Sequence, residues 1–204
     1  GSKLSSFDLK SGSGTVQSDT TFIVANKFTS ECDINNQDHN YFVANNFFYA
    51  SNSRQLYIEY NKPSNTGWNN ILNNTFVRYN SGYTSWGNNF VFSDNRDYSN
   101  INIYNNYFNH NNNTSSNSRY NSHIGYTSLS TSNQPVIQYN VFTCPNWHGS
   151  GGIYWNTSLI STNYNNFRES SSNYTYRTSD GKITVGANAI NKGNPSIQYY
   201  DIDM

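Results

Sequence analysis

The sequence predicts an all-β protein, a single-stranded parallel β-helix of about seven coils. A short motif of alternating apolar residues, an asparagine and an aromatic residue returns along the chain, as in INIYNNYF at 101–108 and YFVANNF at 41–47. The spacing between copies varies, whereas the motif does not. No stretch has the 3.6-residue periodicity of a helix. These three observations together favour a solenoid of stacked strands.

One asparagine of each copy forms a column when the copies are aligned. The column contains Asn26, Asn45, Asn74, Asn106, Asn140, Asn165 and Asn188. Its intervals range from 19 residues, between Asn26 and Asn45, to 34 residues, between Asn106 and Asn140. A constant motif at variable spacing indicates a fixed structural rung with loops of different length.

Two further columns indicate strands on both sides of the asparagine. Two positions after it lie Phe28, Phe47, Phe76, Phe108, Phe142, Phe167 and, in the last copy, Ile190. Three positions before it lie Ile23, Phe42, Ile71, Ile103, Ile137, Thr162 and Val185. This period-2 alternation predicts a strand. Ile58, Val91, Ile124 and Ile153 align in a second register, so each coil contains at least two strands.

The asparagine column has a physical explanation at a corner between two sheets. Asparagine is the non-glycine residue that most readily adopts the left-handed backbone conformation that a sharp corner needs. Its amide also both donates and accepts hydrogen bonds, so equivalent asparagines in stacked coils are predicted to form an internal ladder. The phenylalanines that follow are predicted to stack inside.

The domain organisation follows from the extent of the repeat. Residues 1–20 are interpreted as an expression remnant, Gly1-Ser2, followed by an N-terminal cap. Residues 21–190 contain the coils, and residues 191–204 are interpreted as a closing segment.

Composition argues against several classes of partner. Lys plus Arg and Asp plus Glu are 12 each in 204 residues, so no net charge attracts nucleic acid. No apolar run approaches the ~18 residues of a membrane helix, so this fragment is predicted not to insert into a membrane. The histidines and cysteines have no metal-ligand spacing, and neither a metal nor a cofactor is predicted. Cys32 and Cys144 are compatible with a disulfide or with two free thiols.

The rungs resemble those of the right-handed parallel β-helix repeat proteins of the pectate-lyase-like superfamily, which have an inner asparagine ladder and aromatic stacks. The tail, NAINKGNPSIQYYDIDM, resembles the closing segment of secreted repeat proteins, although Asn191 stands where an aspartate is usual. Among these relatives the Asn-, Ser- and Tyr-rich coils look most like adhesin-like surface proteins of methanogenic archaea. The resemblance implies an extracellular or cell-surface module, part of a larger surface protein, that binds a glycan or protein of another cell.

An outward aromatic strip is the predicted ligand-binding site. Alternation in LYIEYN places Tyr57 and Glu59 on the outer face, and the second register adds Phe92 and Tyr154 from later coils. Aromatic faces with carboxylate and amide acceptors at coil spacing suit a sugar ligand, whereas outward tyrosines are also common on sheets without any function.

An alternative is a carbohydrate-active enzyme, a polysaccharide lyase or glycoside hydrolase of the same superfamily. Its catalytic residues would be Glu59, Asp94 and Asp97, with Arg96 as the charge partner, since paired carboxylates at coil spacing are what such chemistry uses. The stretch SDNRDYSN also fits an ordinary turn. The sequence therefore predicts a non-catalytic adhesive module and keeps the enzyme as the alternative.

Overall fold

A computed structural model describes residues 3–10, 20–35, 40–50, 54–60, 68–78, 90–92, 98–110, 124–125, 135–143, 153–155, 158–160 and 167–169. In these ranges the protein is all-β with parallel strands, and none of the residues is helical. No helix there is long and apolar enough to cross a membrane.

The described strands are short and follow one another closely. In chain order they are β1 (Lys3–Leu4), β2 (Asp8–Lys10), β3 (Thr20–Val24), β4 (Lys27–Phe28), β5 (Cys32–Asn35), β6 (Asn40–Ala44), β7 (Phe47–Ala50), β8 (Leu56–Tyr60), β9 (Asn69–Leu72), β10 (Thr75–Arg78), β11 (Phe90–Phe92), β12 (Ile101–Tyr104), β13 (Tyr107–His110), β14 (Ile124–Gly125), β15 (Val136–Gln138), β16 (Val141–Thr143), β17 (Ile153–Trp155), β18 (Ser158–Ile160) and β19 (Phe167–Glu169).

These strands form three open sheets that the chain visits in rotation. Sheet A has the order β1-β4-β7-β10-β13-β16-β19, sheet B the order β18-β17-β14-β11-β8-β5-β2, and sheet C the order β15-β12-β9-β6-β3. From β3 to β17 the chain runs from sheet C to sheet A to sheet B and back. Every parallel pair therefore joins strands that are three apart in chain order, and β17 with β18 is the antiparallel pair among the described strands.

The inward faces of the three sheets share one hydrophobic core. Sheet A contributes phenylalanines, sheet B contributes Cys32, Ile34, Leu56 and Ile58 among others, and sheet C contributes a row of β-branched residues. Burial raises the pKa of the Cys32 thiol to about 12, and the neighbouring carboxylates add to the shift. Cys32 is a free thiol in the core, whereas Cys144 lies outside the described residues.

A sharp corner joins sheet C to sheet A in each of five rungs. The corner residue has a positive φ of 55° to 59° in Ala25, Asn45, Asn73, Asn105 and Tyr139. Left-handed backbone is costly for residues with a Cβ, and asparagine tolerates it best. Three of these five corner residues are asparagine. Each of the five lies immediately before the ladder asparagine, so the prediction that the ladder asparagine itself adopts the left-handed conformation is wrong.

The inward amides form a continuous hydrogen-bonded ladder. Each Nδ2 donates to the Oδ1 of the next rung, at 3.3 Å from Asn26 to Asn46, 3.1 Å from Asn46 to Asn74, 3.0 Å from Asn74 to Asn106 and 3.0 Å from Asn106 to Asn140. The same Oδ1 also accepts the backbone N–H of the preceding ladder residue at 2.9 to 3.0 Å. The ladder therefore satisfies polar groups of the corner away from water.

A stack of phenylalanine rings runs beside the ladder. Ring centroids are 5.1 Å apart for Phe28–Phe48, 4.6 Å for Phe48–Phe76, 4.8 Å for Phe76–Phe108 and 5.1 Å for Phe108–Phe142. The two central pairs are nearly coplanar, at 5° and 6°. Phe7 meets Phe28 edge-on at 5.0 Å, at the end of the stack.

The prediction that Asn45 belongs to the ladder is wrong, because Asn46 occupies that place and Asn45 is the left-handed corner residue. The adjacent asparagines allow two registers, and the register that forms puts Val43 in the core and Phe42 on the outer face. A shift by one residue exchanges the two faces of a strand. The ring stack consequently uses Phe48 rather than Phe47.

Two other register predictions are wrong by one residue. Phe92, not Val91, pairs with Ile58, and Phe90, not Val91, pairs with Ile124, so Phe92 faces the core. Phe167 pairs with Val141, one residue away from the predicted alignment with Phe142. The predicted ladder residues Asn165 and Asn188 lie outside the described residues.

Candidate binding face

The predicted strip on sheet B has a different composition in the structure. Phe92 is a core residue with 2% exposure, and its ring lies 4.6 Å from that of Tyr98, so it is not an outward ligand-binding residue. Pairing places Tyr57 in one row with Val91, Gly125 and Tyr154. Phe92 belongs instead to the inward row, because the slip of one residue in β11 reverses its face.

Tyr57 is already in contact with another side chain. The Arg54 guanidinium lies 3.5 Å from the centre of the Tyr57 ring, which is cation–π geometry. Arg54 also forms an ion pair with Glu31, with a distance of 2.9 Å between Nε and Oε1. One face of the ring is therefore covered, and a flat ligand has only the other face to contact.

The remaining predicted site residues are not described at the level of side chains. Glu59 and Tyr154 lie in β8 and β17, for which the backbone alone is described at these positions. The predicted acid and base residues Asp94 and Asp97, with Arg96 between them, lie outside the described residues. Among the described residues no group of three or more His, Cys, Asp or Glu side chains is arranged to hold a metal ion.

Sheet C presents an outward face that is described across five strands. Because Ile23, Val43, Ile71 and Ile103 point into the core, the residues on either side of each point outward. The register aligns one outward row as Phe22, Phe42, Asn70, Asn102 and Val136. At a strand spacing of ~4.8 Å this row is about 19 Å long.

Aromatic side chains are exposed on the first strand of this face and just before its middle strand, β9. Phe22 is 69% exposed and Trp68 is 55% exposed. The ring of the half-buried Phe42 lies 5.7 Å from that of Phe22, at 47°. Phe22 and Phe42 therefore form a small contiguous apolar patch, and such patches, unlike single exposed side chains, mark surfaces that contact other molecules.

Two outward amides continue the row beyond the aromatic residues. Asn102 Nδ2 donates to Asn70 Oδ1 at 3.1 Å, and Asn70 Nδ2 donates to the Trp68 carbonyl at 3.2 Å. These bonds fix both amide planes. They leave Asn102 Oδ1 as an acceptor, and each Nδ2 retains a second hydrogen that can be donated.

The outward face of sheet C carries no charge in the part described. None of the residues of β3, β6, β9, β12 and β15 is Asp, Glu, Lys or Arg. Burial raises the pKa of the Tyr104 hydroxyl, and the nearby Tyr139 adds to the shift, so this group stays neutral. The face therefore offers aromatic rings and neutral hydrogen-bonding groups.

This face is not among the sequence predictions, although the aligned motifs place its residues at equivalent positions. Phe22, Phe42, Asn70 and Asn102 are each four positions before a ladder asparagine once Asn46 replaces Asn45. In the predicted register Phe42 was assigned to the core, which interrupted the outward row. Trp68 precedes its strand and carries no motif of its own.

Comparison of the chain with protein-family models, with curated proteins and with solved structures gives no match.

Proposed function

We propose that this chain is a non-catalytic module that binds a neutral carbohydrate through the outward face of sheet C. The observation that carries the proposal is the uncharged row Phe22, Phe42, Asn70 and Asn102, in which two aromatic rings, one of them 69% exposed, adjoin two oriented amides. Aromatic faces pack on the C–H surfaces of a sugar ring, and amides exchange hydrogen bonds with its hydroxyl groups. Because the row is about 19 Å long, the proposed ligand is an oligosaccharide chain.

The proposed architecture is a right-handed parallel β-helix, with the three sheets as its faces. The rotation of the chain through sheets C, A and B supports it, as does the core that all three sheets share. Crossover connections between parallel strands of one sheet are almost always right-handed, which supports the proposed hand.

The proposed setting is the cell surface, where an adhesin-like module of a larger protein attaches to the glycan of another cell. The absence of charge on the described part of the face favours a neutral glycan over an acidic one, because buried carboxylates need partners. The composition of the coils, which are rich in Asn, Ser and Tyr, resembles that of adhesin-like surface proteins of methanogenic archaea and supports this setting.

A glycan array followed by affinity measurements tests the proposal. We expect neutral oligosaccharides to bind, Trp68→Ala to weaken binding at least about tenfold, and Asn102→Ala to weaken it several-fold. Leu4→Ala is the matched control, because Leu4 is also exposed, at 42%, but lies on sheet A. Equal affinity of the Trp68 variant and the parent chain would overturn the assignment of this face.

The same bound glycans are then assayed for new reducing ends and unsaturated uronates. We expect no product. Product release would replace the proposal by the enzyme alternative and direct mutagenesis to Glu59, Asp94 and Asp97.

A further inference from the structure

The outward face of sheet A carries two stacked aromatic side chains, Phe47 and Tyr49. They point outward because Phe48, between them, belongs to the core. Their ring centroids are 5.7 Å apart, at an angle of 25°. Both side chains are half-buried and pack against a second cluster of buried side chains, formed by Val77, Tyr107 and Val141. This packing holds the two rings in place and leaves part of their surface exposed.

The ammonium group of Lys27 lies over this aromatic pair. Its Nζ is 5.3 Å from the centre of the Phe47 ring and 5.7 Å from that of the Tyr49 ring. Both distances are in the range of cation–π contacts, so the two rings give the ammonium group a defined position. Strand β4, which carries Lys27, is paired with β1 on one side and with β7 on the other. The group therefore lies within sheet A and not at a sheet edge.

Positive charge is concentrated on this part of the face. Lys3 is aligned with Lys27 in the same outward row, at the strand spacing of ~4.8 Å. No residue of β1, β4, β7, β10 or β13 is Asp or Glu. Among the described residues the ion pair joins Arg54 to Glu31 and involves neither lysine. In this part of the chain the half-buried Lys27 has two rings but no carboxylate beside it, and a partly desolvated cation favours an anionic ligand.

The contacts of Lys27 favour the carboxylate of a peptide over that of a sugar. A sugar ring packs on an open aromatic face, whereas Lys27 Nζ already lies over Phe47 and Tyr49, which also stack on each other. The ammonium hydrogens and the exposed parts of the two rings remain for a ligand. Two ammonium groups in one row can each donate to one oxygen of a carboxylate. An Asp or Glu side chain close to an apolar side chain supplies both kinds of contact.

We propose that Lys3, Lys27 and the two rings bind an acidic segment of a partner polypeptide. One Asp or Glu of the segment accepts hydrogen bonds from the two ammonium groups. An apolar side chain two residues away, on the same side of the extended segment, packs on the exposed parts of Phe47 and Tyr49. The site lies on sheet A, so this inference is independent of the carbohydrate proposed for sheet C.

Nuclear magnetic resonance titration of the full chain with synthetic peptides tests the proposal. The probe is the peptide SDSFS with blocked ends, in which an aspartate and a phenylalanine lie on the same side of an extended chain. We expect it to shift the amide signals of β4 (Lys27–Phe28) and β7 (Phe47–Ala50), with saturation below about 10 mM. The amide signals of β9 (Asn69–Leu72), in sheet C, are the internal control and should not shift.

Matched variants test the contribution of charge. The uncharged peptide SNSFS should bind at least about fivefold more weakly, and Lys27→Met should weaken the binding of SDSFS by a similar factor. Lys10→Met is the control, because Lys10 lies on sheet B, and it should change the affinity by less than about twofold. The absence of shifts in β4 and β7 at about 10 mM would overturn the proposal, as would equal affinity of the two peptides or of the parent chain and the Lys27 variant. Equal or tighter binding of glucuronate at the same amides would overturn it in favour of a sugar.

Discussion

Replacement of Asn106 by leucine tests the ladder at a central rung. The Asn106 side chain is 1% exposed and makes five hydrogen bonds. Its Nδ2 lies 2.8 to 3.0 Å from the carbonyls of Ile71 and Tyr104 and from Asn140 Oδ1, and it shares its two hydrogens among these three acceptors. Its Oδ1 accepts the backbone N–H and the Nδ2 of Asn74, at 2.9 and 3.0 Å. Leucine removes all five.

The expected loss follows from which groups are left without a partner. Asn140 Oδ1 still accepts a hydrogen bond from the backbone N–H of residue 106, and Asn74 Nδ2 still donates one to the Val43 carbonyl. The buried backbone N–H of Asn74 has no other acceptor in the described structure. A stranded buried amide costs ~1 to 3 kcal/mol, and the weakened carbonyls add to it, so we expect the free energy of unfolding to fall by about 3 kcal/mol.

Asn26→Leu is the matched control at the end of the ladder. Asn26 is half-buried and its Oδ1 accepts no hydrogen bond from the described residues, so among these residues the change removes the donations from Nδ2 to the Val24 carbonyl and to Asn46 Oδ1. We expect a loss of at most about 1 kcal/mol. Urea unfolding followed by circular dichroism measures both variants. Equal losses, or a loss below about 1 kcal/mol for Asn106→Leu, would refute the ladder as a source of stability.

The same unfolding assay measures four further predictions. Ala25→Asn should raise the free energy of unfolding by about 1 kcal/mol, because Ala25 has a φ of 59°; a decrease would contradict the corner assignment. Phe76→Ala should lower it by about 3 to 5 kcal/mol, and Phe76→Leu by less than half as much, since this ring is stacked on both sides; equal losses would argue against the stack. Tyr41→Phe should be neutral or stabilising by up to about 1 kcal/mol, because the buried Tyr41 hydroxyl has no hydrogen-bond partner within the described ranges; a large loss would show that it has one. Finally, the raised pKa of Cys32, about 12, gives stability that is complete below the unfolded thiol pKa of ~8.5 and declines as pH rises toward 12. The stability advantage of the parent chain over Cys32→Ala should therefore shrink by about 1 to 2 kcal/mol between pH 7 and pH 10, and an unchanged difference would contradict the buried neutral thiol.

Much of the sheet arrangement was predictable because the rung motif has a direct physical cause. Asn26, Asn74, Asn106 and Asn140 lie in the ladder because an amide is the side chain that donates and accepts along a stack. At the pairs Asn73-Asn74 and Asn105-Asn106 only the second asparagine is followed two positions later by a phenylalanine, and this phenylalanine fixes the register. At residues 45 and 46 two adjacent asparagines satisfy the motif equally, and packing of Val43 in the core decides between them.

The candidate site was less predictable because it depends on register more strongly than the fold does. A register shift of one residue does not change which segments form strands, but it places Phe92, a predicted ligand contact, in the core. A register error of one residue likewise assigned Phe42 to the core instead of the outward face. Exposure of Trp68 depends on where the chain enters β9, which no local motif encodes.

Pairing between strands three apart also determines how the protein responds to mechanical force. Each rung is held by its two neighbours, and successive ladder residues are 20 to 34 residues apart along the chain. For the proposed β-helix we expect a pull on both ends to detach rungs one at a time instead of unfolding the whole protein at once. Each detached rung adds about 70 to 115 Å to the length of the chain at ~3.4 Å per residue. The extension of a chain pulled from both ends is therefore expected to increase in steps.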